Sequence, residues 1–176
     1  MLYFGMSDEA CRITIKPLDD SHSEACRDLL IRAVDEHPTH FHSTSDDIRS
    51  NPPMTFNGPE ADSFSLGAFD VDGALCGVVG FHRQTMAKLA HRGLVYRMYV
   101  PVERAGQGIG RRLMEALLER VRHQPGLKKV NLFVSSTNER AKRLYTSLGF
   151  VTYGVETAAV CVDGEYYDED DMVLFL

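Results

Sequence analysis

The sequence has no apolar run approaching the length that spans a membrane, and its N-terminus lacks the basic flank and apolar core of a secretion signal. Cysteine is sparse and scattered. Cys11, Cys26, Cys76 and Cys161 lie far apart, without the paired spacing of a zinc site or a disulfide framework. They read as small core residues in a reducing cytosol, so a cytoplasmic location is expected. Positive charge is not in excess: 19 Lys and Arg against 25 Asp and Glu leave a formal charge of −6. That balance argues against nucleic acid as a partner and is compatible with a cationic substrate such as an amine. No internal repeat, low-complexity tract or linker divides the 176 residues, which suffice for one domain with a proper core. Residues 1–5 read as a leader or expression remnant, and 6–176 as that single domain.

Hydrophobic periodicity gives the order of elements. Ile13 and Ile15 alternate in a first strand closed by Pro17. Ser21 and Glu24 have capping-box spacing ahead of a helix whose face is Ala25, Cys26, Leu29, Leu30, Ala33 and Val34. From His37 to Pro59 the chain turns polar, with room for a short helix near 46–49, and reads as a loop covering a pocket. His37, His40 and His42 fall in it, but no Cys or carboxylate frame accompanies them, so no metal is expected. Strands follow at 64–68, 75–82 and 94–100, the first two joined by the tight turn Asp70–Gly73. After a further helix come a strand at 130–134, a helix opened by the capping-box pair Ser136 and Glu139, and strands at 151–154, 155–162 and 166–176.

The densest information lies in Met98 to Leu118, MYVPVERAGQGIGRRLMEALL. A strand runs through Pro101 into Gly106, Gly108 and Gly110, and a helix with Ile109, Leu113, Leu117 and Val121 on one face begins inside the glycines. Glycines leave the first amides of that helix bare, and those unpaired amides with the helix dipole form a seat for an anion such as phosphate. Arg111 stands where a dinucleotide fingerprint needs its third glycine, and Arg111-Arg112 where a Walker loop needs Lys followed by Ser or Thr. Taken alone, the loop also fits an ordinary helix cap.

A second motif follows about thirty residues on: Asn138-Glu-Arg-Ala141-Lys-Arg-Leu144-Tyr145-Thr-Ser-Leu-Gly149-Phe150. The two together, in this order, resemble the GCN5-related N-acetyltransferase (GNAT) superfamily, with its Arg/Gln-x-x-Gly-x-Gly/Ala loop and its Asn-x-x-Ala-x-x-Leu-Tyr-x-x-x-Gly-Phe helix. The resemblance implies an α+β (α/β) GNAT fold, with a mixed sheet of six to seven strands flanked by helices and splayed at the acetyl-CoA site. It implies acetyl transfer from acetyl-CoA, as cosubstrate, to a primary amine of a small molecule or peptide by direct attack. It assigns cofactor contacts to Met98, Tyr99 and Val100, to Ala105, Gly106, Gln107, Gly108, Ile109, Gly110 and Arg111, and to Asn138 and Tyr145. Tyr145 is the expected catalytic donor to the leaving thiolate, and a homodimer is a common assembly of the family.

Two positions depart from the pattern. Ala105 replaces the loop's Arg or Gln, with Arg104 one place early, and its contribution is expected through the backbone amide. Tyr96 occupies the place where many members carry a Glu base. His82, His91 and Glu103 are base candidates by residue type, and the acidic run Asp168–Asp171 is either a solvated hairpin edge or an attractor for a cationic amine. These departures keep open an alternative class, a non-catalytic module that binds and senses acyl-CoA.

Overall fold

The computed structural model describes residues 13–56 and 62–176, so Cys11 and the leader at 1–5 lie outside the described residues. Seven strands form one sheet: β1 (Thr14–Pro17), β2 (Phe64–Phe69), β3 (Leu75–Arg83), β4 (Arg92–Tyr99), β5 (Lys129–Ser135), β6 (Val151–Val162) and β7 (Glu165–Phe175). Their order across the sheet is β1-β2-β3-β4-β5-β7-β6. All neighbours are antiparallel except β4 and β5, which run parallel and are connected through a helix. The helices are α1 (Ser23–Glu36), α2 (Ser45–Ser50), α3 (Ile109–Arg122) and α4 (Glu139–Ser147). Among the described residues no helix is long and apolar enough to cross a membrane.

Strand alternation divides the core in two. Val79 packs with Leu113, Leu117 and Val121 of α3, while its neighbour Val78 packs with Leu29, Leu30 and Ala33 of α1. Successive strand side chains point to opposite faces, so α1 and α3 cover opposite sides of the sheet. The β2–β3 turn closes as expected: the Asp70 carboxylate accepts from the amides of Asp72 and Ala74, and Gly73 supplies a φ of +79°.

The feature that matters most for function is a gap. β4 and β5 pair only at Arg92–Lys129, Gly93–Val130 and Leu94–Asn131, although both strands continue well beyond. β4 bulges there: β3 advances from Val78 to Gly80 while β4 advances from Tyr96 to Tyr99, one residue more. The extra residue is accommodated at Arg97, a non-glycine residue at φ +55°. A bulge bends its strand and increases local twist, which turns β4 away from β5. β5 meanwhile stays paired with β7 from Lys129–Phe175 through Ser135–Glu169, so the gap opens on one side only.

Local signals differ from the sequence reading at four points. Asp19, not Ser21, caps the chain entering α1, through a 3₁₀ turn at Asp20–His22 in which His22 completes the box. Asn138, not Ser136, caps α4, because its side chain is the one within reach of the Ala141 amide at 3.1 Å. The Ser136 hydroxyl instead donates to Asp170. The two strands expected at 151–154 and 155–162 are one strand, with register shifts at Thr152/Gly154 and Glu156/Val160. Cys26 and Cys76 are buried thiols, but Cys161 lies exposed on β6, the edge strand.

Candidate active site

The α3 N-terminus is built for bare amides. Gly106 at φ +80° and Gly108 at φ +75° adopt left-handed backbone that other residues take only with strain. Gly110 is small for a different reason: a Cβ there would come within 3.1 Å of the Met98 side chain. The helix ladder begins with the Arg112 amide donating to Gly108, and among the described residues the amides from Gly106 through Arg111 have no acceptor. Cations stand around this seat. Arg104 donates to Asp70 at 2.7 Å, and Arg111 donates to Ser147 at 2.7 Å with Glu115 at 3.5 Å.

A cavity of about 780 Å³ runs from this seat into the β4–β5 gap. Gly106, Gly108, Ile109, Gly110 and Arg111 line it at one end, and Met98, Tyr99 and Val100 along β4. Asn138 and Tyr145 reach it from α4. Ala105 and Gln107 do not line it. The Ala105 amide, expected to face the ligand, is committed to the Val102 carbonyl at 3.0 Å by the 3₁₀ turn before it, and Gln107 is exposed.

Tyr145 is 6% exposed and packs against Phe150 with ring centroids 6.0 Å apart. Its hydroxyl makes no hydrogen bond to another described residue, and burial pushes the phenol well above its ordinary range. It therefore stays protonated beside the cavity, with no acceptor among the described residues. Tyr99 is different. Its hydroxyl donates to Glu36 at 2.6 Å, and its ring packs with the α1 core, so it contributes structure and a cavity wall. Burial and then the Glu36 contact push its phenol upward. Asn138 spends its carbonyl on the α4 cap, and its amide nitrogen lies 3.3 Å from Nδ1 of His40.

The residues between α1 and α2 do cover the cavity. His37 and His40 stack with centroids 5.1 Å apart, and burial followed by the His37 charge lowers the pKa of His40. His42 reaches across to β7, where its Nε2 lies 2.8 and 3.0 Å from the two oxygens of Glu169. Glu169 is 5% exposed, and both members of this pair line the cavity. Among the described residues no group of three or more His, Cys, Asp or Glu is arranged to hold a metal.

This pair was not legible in the sequence. The acidic run is neither a solvated edge nor an open attractor: Glu169 and Asp170 are buried, and only Glu169 lines the cavity. Asp170 is held by Lys142 at 3.0 Å and by Ser136, and Asp168 accepts from the Ala158 amide. The base candidates chosen by type lie elsewhere. Glu103 is bound by the Arg32 guanidinium, His82 sits exposed beside Ser63, and His91 is exposed. None of the three lines the cavity, whereas Tyr96 does, as a wall.

Comparisons with known proteins agree with this architecture. The family model described as "Acetyltransferase (GNAT) family" matches residues 24–150. A mycothiol acetyltransferase from Actinosynnema mirum is 35% identical over 125 residues, covering 68% of this chain and 37% of that protein. One from Nocardiopsis dassonvillei is 37% identical over 132 residues, covering 71% and 38%. The chain thus spans well under half the length of these curated relatives. An acetyltransferase of the GNAT family from Streptococcus pneumoniae superposes with a TM-score of 0.81 at 19% identity, covering 94% of this chain and all of that one. The structure of yncA from Salmonella typhimurium with its cofactor acetyl-CoA gives 0.76 at 20% identity over 93% of this chain and 94% of that one. With residues 24–150 of its 176 matched by the family model and a fold shared with a solved member, the chain belongs to the acetyltransferase (GNAT) family.

Proposed function

We propose that this protein is an N-acetyltransferase that moves the acetyl group of acetyl-CoA to a primary amine by direct attack. One observation carries the reading. A single cavity joins the bare amides of Gly106 through Arg111 to the β4–β5 gap, and continues past Tyr145 to His42 and Glu169. The seat fits the pyrophosphate of the cosubstrate: unpaired amides, a helix dipole, and Arg104 and Arg111 on either side of the glycines in the chain, both lining the cavity. The gap fits an extended pantetheine arm, which can take the place of the missing β4–β5 partner.

The chemistry asks for two proton handlers. An alkylamine with a pKa of about 10.4 is neutral in only about one molecule in 2,500 at pH 7, a cost of about 4.6 kcal/mol. His42, oriented by the Glu169 carboxylate at Nε2, takes the amine proton through its other ring nitrogen. The amine nitrogen forms its bond to the thioester carbon while a backbone N–H of Met98–Val100 holds the carbonyl oxygen. As the carbon–sulfur bond breaks, the Tyr145 hydroxyl, kept protonated by its raised pKa, donates to the leaving thiolate, and the second proton shed by the acetylated nitrogen replaces the one it gives. Direct transfer is favoured because neither buried thiol, Cys26 or Cys76, lines the cavity.

A second copy of the chain is the expected partner, and the apolar residues exposed on β6 (Val151, Tyr153 and Val155) are its proposed seat. The test of function is an amine screen with acetyl-CoA, read by thiol release. Amine-dependent thiol release is the expected result. Its absence with every amine, in protein that binds acetyl-CoA, would leave a sensor in place of an enzyme.

A further inference from the structure

The half of the cavity beyond the thioester position has an unusual charge. Glu169 is the only carboxylate among its described lining residues, although the chain as a whole carries −6. Five arginines line the cavity: Arg104 and Arg111 flank the glycines of the phosphate seat in sequence, and Arg140 lies in the first turn of α4. The other two, Arg27 of α1 and Arg97 of β4, stand where α1 and the segment around α2 form the wall. Neither has a carboxylate partner among the described residues.

Arg27 donates one Nη2 bond to the Asn51 carbonyl at 2.9 Å. Arg97 places Nη1 at 3.6 Å from the Met54 sulfur and lies 5.1 Å from the centre of the Tyr96 ring. Their contacts are therefore three residues apart on one segment, 51–54. Arg97 is also felt on the α1 side: burial pushes the thiol of Cys26, next to Arg27 in sequence, up to about 11, with the Arg97 charge pulling the other way. Arg97 owes its direction to the β4 bulge, whose extra residue it occupies at φ +55°. Strained backbone of this kind persists where surrounding structure pays for it, and it often aims a functional side chain. The apolar side chains of Leu30, Val34, Phe41 and Ile48 line the same cavity.

We propose that Arg27 and Arg97 form a carboxylate subsite, so that the acceptor is a small amine bearing a carboxylate and an apolar body, as an α-amino acid does. Most of each guanidinium fork remains open to accept such a group, and Arg pairs with carboxylates through paired, charge-assisted hydrogen bonds. The amine end then lies toward His42 and Glu169, and the apolar part against Leu30, Val34 and Ile48. The same cations repel a bare polyamine, whatever the net charge of the protein.

This inference rests on the N-acetyltransferase reading, and the experiment separates the two. Thiol release from acetyl-CoA is measured with matched pairs: an apolar L-amino acid such as methionine or leucine, and its carboxamide. The proteins are wild type, Arg27→Gln, Arg97→Gln and Arg97→Lys. The comparison is the acid-to-amide ratio of kcat/KM between proteins, in which the differing basicity of the two amines cancels. Each Gln variant is expected to lower that ratio roughly tenfold or more, through KM of the acid, while the amide is little changed. Arg97→Lys is expected to restore part of it. A ratio unchanged in both Gln variants overturns the subsite while leaving acetyl transfer intact. So does weakened acetyl-CoA binding in those variants, which would assign the arginines to the cosubstrate. No thiol release with either member of any pair overturns the enzyme reading and this inference together.

Discussion

Removing one oxygen from Tyr145 separates a catalytic role from a packing role. Tyr145→Phe keeps the ring that packs on Phe150 in the α4 core and deletes a hydroxyl with no hydrogen-bond partner among the described residues. No buried acceptor is orphaned, so the stability change is expected to stay below about 1 kcal/mol. Acetyl-CoA affinity, which the proposal assigns to the α3 amides and the β4–β5 gap, is expected to hold within about threefold. Loss of the proton donor is expected to cost roughly 10² to 10⁴ in kcat, or about 2.7 to 5.4 kcal/mol of transition-state stabilisation. Thermal unfolding, calorimetric titration with acetyl-CoA and thiol release at saturating cosubstrate read the three quantities on one preparation. The raised phenol pKa adds a sign: the acid form is the active one, so kcat should not fall through Tyr145 ionisation anywhere below about pH 10. A variant with kcat within threefold of wild type would refute the role of Tyr145, and one that fails to fold would show that its hydroxyl has a structural partner.

Two further predictions concern residues that meet on β7. His42→Ala should lower kcat/KM for the amine by roughly 10² or more at pH 7 with little change in acetyl-CoA affinity, and its rate should climb about tenfold per pH unit toward the amine pKa, because solution must then supply the neutral amine; a flat profile would count against a base at His42. Asp170 is held below the ordinary carboxylate range: burial pushes its pKa up, but hydrogen bonds from Ser136 and Lys142 outweigh that. A depressed acid stabilises the fold above its unfolded pKa, near 3.8, and loses that contribution as pH falls through the folded value. Asp170→Asn should therefore lower Tm at pH 7, with the two Tm values converging as the pH falls through that folded value; a gap that persists once Asp170 is protonated would mean the effect is steric.

The parts of the site carried by short-range pattern were legible in the sequence. Gly106, Gly108 and Gly110 are demanded by local backbone and close approach, and Asn138 to Phe150 by one helix with its cap and stop. The β4–β5 splay was expected from the resemblance but has no local signal, because the bulge at Arg97 is visible only once β3 is alongside. Glu169 was hidden for a related reason. In a strand, successive side chains face opposite sides, and β7 buries both Glu169 and Asp170, the first against His42 and the second against Lys142, 127 and 28 residues away in sequence. Ala105 was misread because an amide is free only if no upstream carbonyl claims it, and the turn at Val102–Arg104 does so.

The central claim, that the α3 N-terminus seats acetyl-CoA, is tested most directly by calorimetric titration of acetyl-CoA into wild type and Gly108→Asp. The substitution places a carboxylate at the bare amides and a non-glycine residue at φ +75°, while a Cβ there meets nothing within 4 Å, so the fold should survive. Micromolar binding by wild type, lost in the folded variant, is the predicted result. Binding of equal strength in both proteins, or none by well-folded wild type, would contradict it.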